Sequence, residues 1–220
     1  MQLPREGIFA ECAPEVSDAL SRIATEIRLE RGGVLFEERD PGDALFAVLD
    51  GTLEISVLSP GGRKLTLDVL RSGAMLGEIA LFDPGVRTAT ATALDRCQLL
   101  RIRNGDLLQQ IEGDPKLAIA VYQLAGRRMR AMNRQLSDQV FLPMPVRLAR
   151  KVLYLLDVTD KGDTLRMSQS DLADFMGTTR EAVAKTIAEW KRLGMVDPGR
   201  GVLTVSDRDA LDALAEAESE

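Results

Sequence analysis

The chain has 220 residues, enough for one or two domains that each bury a core, and its 45% hydrophobic and 28% charged residues are ordinary for a globular protein. It contains no histidine and only two cysteines, Cys12 and Cys97, so imidazole-ligated haem or zinc, a histidine-based catalytic triad and a four-cysteine iron–sulfur cluster are all excluded. A formal net charge of -6 means that any contact with nucleic acid must rest on local charge rather than on a basic chain.

The first twenty residues, MQLPREGIFAECAPEVSDAL, show no charged segment followed by an apolar run. No secretory leader is therefore expected, no later stretch approaches the roughly 18 apolar residues of a membrane span, and the expected location is the cytoplasm. In that compartment Cys12 and Cys97 read as incidental thiols, with a redox pair between them as the alternative. A short helix is expected near Pro14–Ile27. From about Val34 to Ile102 the chain reads as short β segments broken by Gly, Pro and Asp: ALFAVLDG, TLEISVLSPGG, KLTLDVLRSG and TATATALDRCQLLRIR. Alternation of period two in Thr52–Val57 and the turn Ser59-Pro60-Gly61-Gly62 point to a small barrel or sandwich. A second short helix is expected over Asn104–Ile111.

Inside this β region lies Gly77-Glu78-Ile79-Ala80-Leu81-Phe82-Asp83-Pro84-Gly85-Val86-Arg87-Thr88-Ala89. A short apolar turn, Ile79-Ala80-Leu81, stands between two glycine-containing turns, and backbone N–H groups at such a turn attract an anion. Arg87 can grip a phosphate through two nitrogens, Glu78 can accept from sugar hydroxyls, and Thr88 adds a hydroxyl. A lone Glu–Arg pair is more often a surface salt bridge, so the order of the whole segment carries the argument.

A different pattern starts at Asp114, an N-cap residue followed by Pro115. Ala118, Val121, Ala125, Met129, Met132, Leu136 and Val140 recur at steps of three and four, while Arg127, Arg128, Arg130 and Arg134 take other faces. This is a narrow apolar seam on a helix of roughly 27 residues, about 40 Å long. Self-pairing in a parallel dimer is expected, with packing on the chain's own barrel as the alternative. Phe141-Leu142-Pro143-Met144-Pro145 ends the helix and is the expected hinge. A further helix is expected from Val146 to about Asp157, then a loop over Thr159–Asp163.

Met167–Lys185, MSQSDLADFMGTTREAVAK, has the pattern of a helix-turn-helix. Ser168 and Asp171 form a capping box, Leu172, Ala173, Phe175 and Met176 an apolar face, Gly177 a left-handed stop, and Thr179 the cap of a second helix. Arg180, Glu181 and Lys185 fall on the exposed start of that helix, where arginine can meet guanine and glutamate can accept from cytosine. Gly194–Val205 reads as a strand-turn-strand wing, with Lys191, Arg192 and Arg200 as local positive charge. The acidic end, Asp209–Glu220, reads as a fraying surface helix.

The segment from Gly77 to Ala89 resembles the phosphate-binding cassette of cyclic nucleotide-binding domains, in which G-E-x-A-L is followed by R-[ST/A]-A. With R-E-x-V-x-[RK] at Arg180, Glu181, Val183 and Lys185, nearly the whole chain resembles the catabolite activator/FNR superfamily of transcription regulators. The resemblance implies an α+β fold: an N-terminal β-roll of the jelly-roll kind that binds a cyclic nucleotide (1–113), a long dimerisation helix (114–142) and a C-terminal winged helix-turn-helix (143–220). It assigns the ribose 2′-hydroxyl to Glu78, the cyclic phosphate to Arg87, a hydroxyl contact to Thr88 and backbone amides to Gly77, Ile79 and Ala80. From the long helix it adds Met132 and Asn133 at the purine. Asn133 suits that role, but a Met132 thioether pairs poorly with a base edge. Cyclic AMP is accordingly the first expected effector and cyclic GMP the second, with no metal, haem or iron–sulfur cluster.

For DNA the resemblance implies contacts from Ser168, Gln169, Thr178, Thr179, Arg180, Glu181, Lys185 and Arg200 to an inverted repeat of TGTGA-like half-sites. Lys185, standing where many members carry arginine, lacks the planar fork. A homodimer on double-stranded DNA, working with RNA polymerase, is the implied assembly. The alternatives are an effector-independent member with a vestigial cassette, a pure interaction module, and a jelly-roll enzyme of the cupin kind. The missing histidines weigh against the enzyme.

Overall fold

The computed structural model of the protein describes residues 14–113, 115–159 and 162–217. Cys12, Asp114 and the last three residues lie outside them. The chain divides into two compact units, one comprising Met1–Val57 with Asp68–Ala131, the other Leu58–Leu67 with Met132–Glu220.

In chain order α1 (Pro14–Ile23) is followed by β1 (Thr25–Leu29), β2 (Val34–Phe36), β3 (Ala44–Asp50) and β4 (Leu53–Leu58). β5 (Lys64–Leu70), β6 (Met75–Leu76), the short α2 (Ile79–Phe82), β7 (Thr90–Ala93), β8 (Cys97–Arg103) and α3 (Asn104–Gly113) follow. The expected helix Pro14–Ile27 is shorter than its sequence pattern suggested. It stops at Ile23, and Thr25–Leu29 instead pairs antiparallel with β8, Thr25 opposite Arg101 and Leu29 opposite Cys97. Alternation of Thr25, Ile27 and Leu29 suits a strand, and the long-range ladder outweighs the helical continuation.

Two four-stranded sheets form, in the orders β1-β8-β3-β6 and β2-β7-β4-β5. β3 shows why ALFAVL is apolar throughout. Phe46 and Val48 join Leu53, Ile55, Leu76 and Leu99 in one core cluster. Leu45 and Ala47 point the other way and join Leu20, Leu100, Ile102 and Leu107 beneath α1 and α3. A strand covered on both faces has no polar alternation to show. Cys97 is buried in the first cluster, its thiol donating to the Thr52 carbonyl at 3.3 Å, and burial pushes its pKa up to about 11.

α4 (Pro115–Phe141) has the expected length. Val121 is buried, whereas Met129, Met132, Leu136 and Val140 are exposed. The seam thus splits: its start packs within the first unit and its later turns face solvent. The side chains of Arg127, Arg128 and Arg134 lie outside the described residues.

In the second unit α5 (Met144–Thr159) starts two residues before the expected Val146. Pro145 falls in its first turn, where the missing N–H has no intrahelical partner to lose. α5 packs on α8 (Arg208–Glu216), whose cap is Asp207. Over its described residues the expected surface helix is docked, with Leu211 and Ala215 buried. Arg150 of α5 donates to the Ala215 carbonyl at 2.7 Å and pairs with Asp138 of α4 at 3.0 Å. Between them come β9 (Thr164–Leu165), α6 (Gln169–Met176), α7 (Arg180–Arg192), β10 (Val196–Gly199) and β11 (Val202–Val205). The last two strands form the expected wing, in register from Val196↔Val205 to Gly199↔Val202, with β9 on the outer side of β11. Among the described residues no helix is long and apolar enough to cross a membrane.

Candidate functional site

Gly77, at φ +86°, turns the chain from β6 into the cassette, and Glu78 starts the turn that becomes α2. The β2–β3 loop is zipped to the far end of this segment. Gly42 N–H donates to the Gly85 carbonyl at 2.9 Å, Arg87 N–H to the Asp40 carbonyl at 2.8 Å, and Arg39 N–H to the Arg87 carbonyl at 2.9 Å. A Cβ on Gly42 would lie 2.3 Å from that of Ala80, so only glycine admits this approach. The Asn104 amide donates to the carbonyls of Gly42 and Ala80, tying α3 to both. Phe82, at the end of α2, stacks on Tyr122 of α4 with ring centroids 6.4 Å apart.

These constraints shape a cleft with about 60 Å³ of enclosed space. Gly77, Glu78, Ile79, Ala80, Arg87 and Thr88, all expected at a ligand, line it together. Its remaining walls are Val86 and Ala89 of the same segment, with Phe36, Ile55 and Leu76, which the sequence pattern did not single out. A largely apolar hollow with a few convergent polar groups is the usual make-up of a small-molecule site. Met132 and Asn133 are both exposed on α4.

Arg87 and Glu78 are 4% and 8% exposed, unusual for charged side chains unless something compensates. Arg87 Nη2 donates to the Ala44 carbonyl at 2.8 Å and Nη1 to the Gly77 carbonyl at 3.4 Å, while the exposed carboxylate of Asp43 stands 3.7 Å away. Asp43 is shared with Arg101, which it also pairs. Arg87 Nε is buried with no hydrogen-bond partner among the described residues. Burial lowers the pKa of the guanidinium and Asp43 opposes that shift. A dry arginine with one donor unused, beside a carboxylate and above a glycine turn, has the donor set for a phosphorylated sugar: anion to Arg87, hydroxyl to Glu78.

The second constellation is the α6–α7 pair. Ser168 Oγ accepts from Asp171 N–H at 3.1 Å, and Asp171 accepts from Ser168 N–H at 2.8 Å, completing the expected capping box. Gly177 adopts the left-handed conformation at φ +60° and its N–H donates to the Ala173 carbonyl. The Thr179 hydroxyl accepts from Ala182 N–H at 3.3 Å. Arg180, Glu181 and Lys185 are exposed at the start of α7, with Glu181 and Lys185 one turn apart on one face. Gln169 and Thr178 are half-buried around the turn, and Arg200 is exposed at the wing tip. The other nearby positive charge is partly neutralised: Arg192 pairs with Glu189 and Lys191 lies 3.9 Å from Asp197.

Residues 26–114 match the family model of the cyclic nucleotide-binding domain, and residues 146–214 that of the Crp-like helix-turn-helix domain. The chain is similar to a "CRP-like cAMP-activated global transcriptional regulator" of Mycobacterium tuberculosis, 31% identical over 216 residues that span 95% of this chain and 96% of the relative. It is likewise 31% identical to a "Cyclic AMP receptor protein" of Thermus thermophilus, over 94% of this chain and 96% of that one. Among solved structures, a CRP/FNR-family transcriptional regulator from Thermus thermophilus superposes with a TM-score of 0.77 at 26% identity, covering 89% of this chain and all (100%) of the other.

Proposed function

The chain belongs to the CRP/FNR family of transcription regulators, and from that premise we propose that it is a homodimer whose binding to DNA is gated by a cyclic nucleotide, cyclic AMP in the first place. The observation that carries this is Arg87, buried to 4% exposure at the cleft with Nε unpaired. A vestigial cassette has no reason to keep a dry guanidinium with a donor unused, because an unmet buried donor costs about 1–3 kcal/mol. A cyclic phosphate meets Arg87, the ribose 2′-hydroxyl donates to Glu78, and the purine lies against the apolar wall.

In this proposal the exposed stripe Met129, Met132, Leu136 and Val140 pairs with the same stripe of a second copy, bringing Asn133 to the purine. The Phe82–Tyr122 stack links the cassette to the long helix, so ligand affinity that differs between two dimer arrangements shifts the hinge at Phe141–Pro145. The two copies of α7 then enter successive major grooves of an inverted TGTGA-like repeat, about 34 Å apart. Ser168, Gln169, Thr178, Thr179 and Arg200 hold backbone, and Arg180, Glu181 and Lys185 read bases. Work in the cytoplasm with RNA polymerase and no enzymatic step complete the proposal.

The test is isothermal titration of the full chain with cyclic AMP and with cyclic GMP, alongside Arg87→Leu. Binding that falls by about 2–5 kcal/mol in the variant supports the site. No heat with either nucleotide at millimolar concentration contradicts the gating proposal, and unchanged affinity in Arg87→Leu places the ligand elsewhere. Tighter binding of cyclic GMP would make guanine the base, with Thr88 its neighbour in the cleft.

A further inference from the structure

Arg87 is held by more than hydrogen bonds. Its guanidinium carbon lies 4.5 Å from the centroid of the Phe36 ring and 5.3 Å from that of Phe46. The two rings are themselves in contact, 5.7 Å apart and inclined at 34°. They come from different strands: Phe36 closes β2, and Phe46 is the third residue of β3, buried in the core between the sheets. Phe36 is half-buried and also lines the cleft. Arg87 thus packs against a pair of aromatic rings while Ala44 and Gly77 take its two terminal nitrogens.

This arrangement answers an energetic problem. Asp43 is 3.7 Å from Arg87 and largely exposed, so that pair is screened by solvent, while Asp40 and Glu78 act on the guanidinium less strongly than Asp43. Two backbone carbonyls bring partial charge only. The faces of aromatic rings carry negative electrostatic potential, and guanidinium stacks on them at little desolvation penalty. We propose that Phe36 is a positioning residue of the ligand site: its ring face holds the Arg87 guanidinium charged, dry and fixed in place before the anion arrives, leaving Nε as the free donor. This role rests on the assignment of the cleft as a cyclic nucleotide site.

The ring acts through Arg87, so its effect must follow the electrostatics of its face and not its bulk. The experiment replaces Phe36 in the full chain with mono-, di- and trifluorinated phenylalanine by site-specific incorporation, with Phe36→Tyr and Phe36→Leu as companions, and titrates each with cyclic AMP. Fluorine drains the negative face while leaving shape almost unchanged. The expected result is a stepwise loss of affinity along the fluorinated series, reaching about tenfold. Phe36→Tyr stays close to wild type and Phe36→Leu matches the far end of the series. Equal affinity across the fluorinated series overturns the role of Phe36 while leaving the site intact. Absence of binding by the unmodified protein overturns the site and this role together.

Discussion

A Cβ placed on Gly77 would lie 2.6 Å from Nη1 of Arg87 and 2.9 Å from the Ala44 carbonyl. The glycine therefore serves twice: it takes the left-handed φ of +86°, and it leaves room for the guanidinium to reach the two carbonyls that hold it. We predict that Gly77→Ala displaces Arg87, weakens cyclic AMP binding about tenfold or more, and destabilises the first unit by about 1–3 kcal/mol. Titration and a thermal melt of the same variant separate the two effects. Wild-type affinity at a lowered melting temperature would show that the guanidinium is not held by this contact.

The capping box of α6 gives a prediction on stability. Ser168→Ala removes the acceptor of Asp171 N–H and is expected to destabilise the second unit by about 1 kcal/mol. That corresponds to a shift of roughly 4–8 °C in the melting transition of a unit of this size. Hydrogen exchange of the α6 amides should rise in the same variant, whereas the cassette amides should not change.

For DNA the two kinds of contact are separable by salt. Arg180→Ala should lose about 1–3 kcal/mol on a matching half-site and relax specificity at one base pair. Arg200→Ala should weaken binding evenly across sequences and flatten the slope of log affinity against log salt by about one. Anisotropy titrations on matched and mutated duplexes between low and physiological salt check both.

The exposed half of α4 predicts oligomeric state. Met129 and Leu136 are 64% and 62% exposed, a surface that pairing would bury. The double variant Met129→Glu, Leu136→Glu should sediment near the chain mass of 24.1 kDa, and the wild type at twice that value. A monomeric wild type, or a variant that stays dimeric, would remove α4 as the pairing surface.

Cys97 tests the core between the sheets. Its thiol pKa is raised to about 11 by burial first and by Asp95 second. A thiol raised in the folded state ionises first in the unfolded chain. The stability it contributes is full below the unfolded value near 9 and is lost as pH rises towards 11. In a Cys12→Ser background we predict that a thiol reagent at pH 8 modifies Cys97 only as fast as the protein opens, and that denaturant abolishes this protection.

Much of this was legible because the relevant residues are neighbours in sequence. The cassette needs Gly77, Glu78, Arg87 and Thr88 within one turn-helix-turn, and the capping box needs Ser168 and Asp171 three apart. Legibility failed where distant strands supply the wall. Phe36 and Ile55 are ordinary apolar strand residues until β2 and β4 close on the cassette. Phe36 and Phe46, ten positions apart, gave no local hint of a shared cation. The tract after Ile23 misled for the same reason: the ladder to β8 is a long-range partner that no window of α1 contains. The position of α5 turned on Pro145, which breaks a helix interior but not a first turn.

Gating of DNA binding is measured by fluorescence anisotropy of an inverted TGTGA repeat titrated with the full chain at about 150 mM salt, with and without saturating cyclic AMP. Binding at least about tenfold tighter is expected with the nucleotide, a coupling of about 1.4 kcal/mol or more, abolished in Arg87→Leu. Equal affinity with and without cyclic AMP, or with cyclic GMP in its place, would contradict it.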